Sequence, residues 1–352
     1  MKRIITTYLF SLAVVGLFAN DPVVTKTIVK EWNVNANTHV HLDVDYQDIK
    51  IVFWNENKIK YSVDILSNDE HVTQTALEEK VDISSKTVNG GLFIYVNFNN
   101  NESYVRKIFS GNQLNVSLDG EIYLPNSLSQ LSLISKYCDV EAGIIPVKLN
   151  LSASYGDLNI VEVQKEVIIT SNYADISIKK SNDVKINANY GEFHINESKS
   201  MTISSNYSDY SLGSIETVPK LSGNYCDIVI SNLGEGTFTT TYSDMEIGTL
   251  VKNLSLNGTY SELVVKNISP TFTGISCKGT YADFSFNINE SNPIRIDISG
   301  NNCSADYEAV PISVTMESEE HGFYSLKAKT KSAVSTSPQI QVSANYGDVI
   351  FK

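Results

Sequence analysis

Apolar and polar positions alternate over most of the chain, and between Leu131 and Phe286 the alternation comes in matched blocks. Pairs such as Val167/Ile169, Val184/Ile186, Met201/Ile203 and Leu254/Leu256 lie six and four residues before a tyrosine. A second set, Leu158/Ile160, Ile176/Ile178, Ile228/Ile230, Leu263/Val265 and Phe284/Phe286, lies three and five residues after one. Period-two alternation on both sides predicts strands. The inward parity changes between the tyrosine and the third residue after it, which predicts a corner at the two residues that follow the tyrosine. No helical period or βαβ pattern competes in this stretch.

The tyrosines belong to one phrase: tyrosine, small residue, acid, apolar. Every 17 or 18 residues it returns as Tyr155-Gly-Asp157-Leu, Tyr173-Ala-Asp175-Ile, Tyr190-Gly-Glu192-Phe, Tyr207-Ser-Asp209-Tyr, Tyr225-Cys-Asp227-Ile and Tyr242-Ser-Asp244-Met. It recurs at Tyr46, Tyr137, Tyr260, Tyr281 and Tyr346, so 11 of the 19 tyrosines share one context. Such self-similarity marks a repeat protein. Each unit predicts strand, corner, strand and a polar loop such as 179–183 or 196–200. A unit of this length cannot close a core alone, and equal apolar columns predict that units stack about 4.8 Å apart. The expected fold is all-β: a single-stranded β-solenoid (β-helix) of stacked 17–18-residue coils with an N-terminal β-rich cap.

Three regions follow from this pattern. Residues 1–19 carry Lys2, Arg3, an apolar run from Ile4 to Phe18 and a small residue at Ala19, the plan of a secretory signal peptide. Residues 20–126 are expected to form the cap, with a degenerate coil at Tyr46-Gln-Asp48-Ile and a short helix over 69–80. Residues 127–352 carry the repeats. An irregular insert at 310–337 is expected to be a C-terminal cap.

Charge narrows the partners. The chain has 27 basic and 40 acidic residues, a net charge of −13. Loss of Lys2 and Arg3 with the signal peptide would leave 25 against 40, or −15. Such acidity argues against nucleic acid and anionic lipid surfaces. After signal cleavage no transmembrane segment is expected. Of the four cysteines, Cys138, Cys226 and Cys303 occupy the small-residue column of different coils, too far apart for disulfides at the coil spacing. No zinc, phosphate-loop or nucleophile-elbow motif appears. His39 and His41, two apart on a strand, could face one metal, though exposed polar positions explain them more simply.

Stacking predicts two ladders, one of tyrosines and one of acids. Neighbouring carboxylates about 5 Å apart repel by about 1 kcal/mol in water and more near a protein surface, so something must satisfy them. The simplest expectation is a local turn, each Asp accepting from the backbone N–H two residues on. The alternative makes Asp139, Asp157, Asp175, Glu192, Asp209, Asp227 and Asp244 a metal site holding Ca²⁺, a hard cation that prefers six to eight oxygens. A catalytic role fits poorly, because coil equivalence gives no acid a distinct pKa.

The leader, the opening from Trp32 to Trp54 around Tyr46-Gln-Asp48-Ile and the repeated Tyr-[Gly/Ala/Ser]-Asp-apolar coils resemble a bacterial exported β-strand-repeat family of "putative adhesins", common in Bacteroidetes. The resemblance implies a β-solenoid at the cell surface or in the periplasm, or secreted, and brings no catalytic or cofactor residues with it. The expected function is therefore a non-enzymatic exported scaffold that presents a Tyr/Asp-lined face to a cell-surface glycan or protein. Its alternatives are a calcium-stabilised repeat and a carbohydrate-active β-helix enzyme.

Overall fold

The computed structural model describes residues 23–67, 81–98 and 116–352. The leader segment and the helix expected over 69–80 lie outside them. Among the described residues every regular element is a strand, and the pairings join them in one open sheet. No described helix is long and apolar enough to cross a membrane.

The centre is an extended run from Lys148 to Asn224, continued by Asp227–Thr241, Asp244–Thr259 and Glu262–Val265. Neighbouring repeats pair parallel and in register: Leu149 with Leu131, Leu158 with Val140, Ile228 with Met245, Leu254 with Ile275. Like residues therefore sit beside like. Val167, Ile169, Ile186, Ile203, Ile230 and Ile247 all belong to one continuous buried core. Repeats of 17 and 18 residues stay in register because the difference is absorbed at the polar loop, by shifts between Val218 and Leu221 and between Leu233 and Glu235.

At both ends the stacking order departs from chain order. His39–Asp45 pairs parallel with 92–96 on one side and with 130–136 on the other, so the first coil lies inside later ones. At the other end Gln339–Asn345 pairs parallel with both Gly274–Thr280 and Arg295–Ser299. The segment after the insert is thus wedged between two earlier coils. Antiparallel strands finish each end. Lys58–Ser67 and Val81–Val88 do so near the first coil. The insert does so at the other end, folding as a hairpin of Ile312–Glu320 and Phe323–Thr330 whose second strand lies antiparallel on Arg295–Asn301. Its outer strand carries exposed Glu317, Glu319 and Glu320, and charge on an edge discourages sheet-to-sheet growth.

Candidate functional site

The corner falls on the tyrosine itself, one residue earlier than the sequence suggested. All eleven phrase tyrosines have positive φ, between 50 and 58°. A left-handed backbone costs a non-glycine residue about 1–2 kcal/mol, so the strain is repeated in every coil. Hydrogen bonds between coils offset part of it. The N–H of Tyr137 donates to the Ser154 carbonyl, that of Tyr225 to Thr241 and that of Tyr346 to Asn301. In the coil beyond Tyr346 the corner is Asn302, also left-handed, a residue that tolerates this conformation more easily.

The turn aims each ring outward, where the rings stack on one another. Ten contacts join the eleven rings from Tyr46 through Tyr137 to Tyr346, with centroids 4.7–5.2 Å apart. The planes lie within 6° of parallel except at Tyr281–Tyr346, where the angle is 14°. Each residue remains 43–52% exposed. Face-to-face stacking covers the ring faces, so solvent meets ring edges and a row of hydroxyls. None of these hydroxyls has a hydrogen-bond partner among the described residues. The following small residue turns inward: Cys138, Ala174, Ser208, Cys226, Ser243 and Ala282 are all buried. The Cys138 and Cys226 thiols each hydrogen-bond to the carbonyl two residues back, those of Lys136 and Asn224.

Alternate acids are satisfied across coils, and for these the expected local turn is corrected. The N–H of Asp157 donates to the Asp139 carboxylate (2.9 Å), that of Glu192 to Asp175 (2.8 Å) and that of Asp227 to Asp209 (3.2 Å). Further along, Glu262 donates to Asp244 (3.3 Å) and Asp348 to Asp283 (2.8 Å). In-register stacking puts the next coil's peptide N–H over the carboxylate. The acceptors alternate: from Asp139 to Asp283, every second acid clamps its neighbour. Asp157, Glu192, Asp227 and Glu262 lie between the clamps. Burial first, then the flanking carboxylates, raises Asp157 and Asp227 above the usual carboxylate value. Among the described residues no three His, Cys, Asp or Glu side chains are grouped to hold a metal ion; the seven proposed calcium ligands are spread one to a coil.

These shifts set a pH dependence. A carboxyl whose folded pKa is raised binds its proton more tightly in the native state, so its contribution is full below the ordinary pKa of 3.8 and is lost as pH rises through the folded value. Asp48 and Asp119 are shifted the same way by burial. Glu166, between Lys148 and Lys185, is shifted down and opposes them at lower pH. His39 and His41, whose pKa values burial lowers, lose stability as pH falls through the ordinary 6.5 and oppose the acids between pH 7 and 5. The acids are therefore read as a difference: as pH falls from 7 towards 5 at low salt, the melting temperature of the Asp157→Asn/Asp227→Asn double variant should drop relative to that of the native chain. Each site contributes less than about 1 kcal/mol at such exposure. Equal slopes in both proteins would discard this account of the acid column.

One column was legible in the repeat but not singled out: the residue before the tyrosine. Asn189 donates through Nδ2 to Asn172 Oδ1 (3.1 Å), Asn206 to Asn189 (3.0 Å) and Asn224 to Asn206 (2.8 Å). Recurrence of asparagine at that position was the available signal. Asn206→Ala removes two of these bonds and is expected to lower stability by about 1–2 kcal/mol, read as a shifted urea midpoint at constant slope. An unchanged midpoint would make the column ornamental.

Other polar features lie elsewhere. The His39 and His41 rings are 3.9 Å apart; His39 Nε2 meets Ser132 Oγ at 2.8 Å and His41 stacks on Phe93. Burial lowers both pKa values. A groove of about 560 Å³ crosses several polar loops, lined by residues including Lys180, Lys199, Lys252, Glu197 and Glu216. Its charges are mixed and no ladder tyrosine enters it.

The geometry defines an all-β repeat protein with a continuous exposed column of stacked aromatic side chains. No family profile matches the sequence, and no curated protein sequence does either. Several solved structures show some similarity to this chain. One is named a "putative adhesin", from Parabacteroides merdae, with 13% identity, 72% of this chain and 96% of that chain covered, and a TM-score of 0.36. A "putative lipid binding protein" from Parabacteroides distasonis has 9% identity, covers 93% and 96% of the two chains and has a TM-score of 0.36. A "putative cell adhesion protein" from Clostridium sporogenes has 13% identity, 94% and 99% coverage and a TM-score of 0.22. Structures bearing adhesin names are thus among those this chain is similar to.

Proposed function

We propose that the chain is an exported, non-enzymatic β-solenoid scaffold whose tyrosine and carboxylate face binds a glycan or protein at a cell surface. The observation that carries this reading is the tyrosine column: eleven rings kept about half exposed on a strained backbone, their hydroxyls without a hydrogen-bond partner among the described residues. Corner geometry alone would be met at lower cost by asparagine or glycine. Because stacking hides the ring faces, the partner is recognised by hydrogen bonds to a row of hydroxyls beside a row of carboxylates, not by sugar rings lying on aromatic planes. Repetition of the same groups at the coil spacing suits a partner that is itself repetitive.

The test is binding of the full chain to immobilised glycans and cell-surface proteins, compared with a Tyr173→Phe/Tyr190→Phe/Tyr207→Phe variant. That variant keeps the stacked rings and removes three hydroxyls. Retention is expected to fall in the variant while its melting curve stays unchanged. Equal retention of both proteins would move the binding face elsewhere, and turnover of a polysaccharide would replace a scaffold with an enzyme. The calcium-stabilised alternative is read from the same protein by melting in Ca²⁺ and in EDTA. A ligand specific to the folded state at 100 times its Kd raises stability by about 2.7 kcal/mol, and the dispersed acids lead us to expect no such shift.

A further inference from the structure

The stacked phenols invite a chemistry that binding does not use. We propose that the tyrosine column is a site of oxidative cross-linking, in which neighbouring coils become joined by dityrosine when the protein meets peroxide and a haem peroxidase.

Three features of the column favour this. Every ladder phenol has another at 4.7–5.2 Å in a nearly parallel plane, so equivalent ring carbons of neighbours are about as far apart as the centroids. Each ring is about half exposed and within reach of oxidant from solvent. No ladder hydroxyl is tied up by a hydrogen bond to the described protein, so the phenolic proton leaves directly to water. Buried Tyr61 shows the contrast: its hydroxyl is bonded to Gln47 and its ring is enclosed.

The peroxidase, re-oxidised by hydrogen peroxide, removes one electron from each of two neighbouring phenols, and each loses its hydroxyl proton. The two phenoxyl radicals, with spin density on the carbons ortho to oxygen, couple there in one carbon–carbon bond. The two ortho hydrogens then move to oxygen as the rings regain aromaticity. Two tyrosines and one hydrogen peroxide give one dityrosine and two waters. The peroxide is reduced and the phenols are oxidised by two electrons in all. Because the partner ring is already in place, coupling within the chain outruns encounter between chains. The product closes a loop of 17 or 18 residues between coils such as those of Tyr173 and Tyr190, and a cross-link of this kind removes conformational freedom from the unfolded chain.

The experiment treats the full chain with hydrogen peroxide and a haem peroxidase, then measures dityrosine fluorescence, mobility on a denaturing gel and the positions of linked peptides by mass spectrometry. The comparison protein carries Tyr137→Phe, Tyr173→Phe, Tyr207→Phe, Tyr242→Phe and Tyr281→Phe. It keeps every stacked ring but leaves no two ladder phenols adjacent. Expected for the native chain is a monomeric product, lighter by two hydrogens per link, linked between ladder neighbours and melting higher than before treatment; the variant should give background fluorescence. The proposal is overturned by links chiefly between chains, by links that map to tyrosines outside the column, by equal yield from the variant, or by no dityrosine in the native protein. Mapping on the native chain decides the matter even if the variant folds poorly.

Discussion

Deleting residues 339–352 is expected to dissolve the whole end of the stack from about residue 287 onward, not to shorten it by one coil. The segment is flanked on both sides: Ile340 lies beside Ile275 and also beside Ile296, and Val349 beside Phe284 and also beside Ala305. Ile340, Val342, Val349 and Phe351 are buried. At about 1.5–3 kcal/mol for each such side chain, their loss removes roughly 6–12 kcal/mol, comparable with the whole stability of an ordinary domain. Two strand edges would then be left across a gap with no partner. Limited proteolysis should cut the deleted protein throughout 287–338 while the coils from Tyr137 to Tyr242 stay protected. Undiminished protection of 295–330 would mean that the gap closes by simple collapse.

The second large effect concerns the corner. Tyr207→Val places a β-branched residue at a φ of 54° and removes ring contacts to Tyr190 and Tyr225. Tyrosine already bears the left-handed backbone cost, so valine adds only the extra crowding of a β-branched side chain there, on top of two lost stacking terms of about 0.5–1.5 kcal/mol each, roughly 1–3 kcal/mol in all. Tyr207→Asn loses the stacking but suits the backbone, and should lose less than valine does. Tyr207→Phe keeps both and should lie within about 0.5 kcal/mol of the native protein. Urea midpoints of the three variants separate backbone from stacking. If valine and asparagine proved equal, the left-handed corner would carry no strain worth the name.

The alternation of side chains made much of the fold readable in advance. Val184/Ile186 before Tyr190 and Ile176/Ile178 after Tyr173 announce two strands with a corner between, and the repeat length announces that coils lie side by side. Pairing within the centre, such as Leu149 with Leu131, follows. The order of coils at the ends was not readable, for a physical reason. Equal apolar columns make any coil an acceptable neighbour for any other, so Ile340-x-Val342 fits beside Ile275-x-Cys277 as well as beside Ile296-x-Ile298. Connecting loops decide, and their reach leaves no periodic trace. The same holds for the carboxylates. The phrase located Asp139, Asp157 and Asp175, but a local turn and a neighbour's peptide offer the same N–H group. Only the stacked geometry shows that Asp157 donates to Asp139. The tyrosine's exact place at the turn was hidden too, since propensity disfavours a large side chain there.

The clamped and unclamped acids give the molecule a grain that its amino-acid sequence lacks. Along the sequence the unit is one coil. In the carboxylate bonding it is two, because Asp175, Asp209 and Asp244 accept while Glu192 and Asp227 between them do not. Adding or excising a single coil in that region would bring two acceptors, or two repelling carboxylates, into adjacent places; adding or excising a pair would restore the order. Lengthening that region is therefore a matter of even numbers, and the order ends at the first coil, where Asp48 and Asp139 accept side by side.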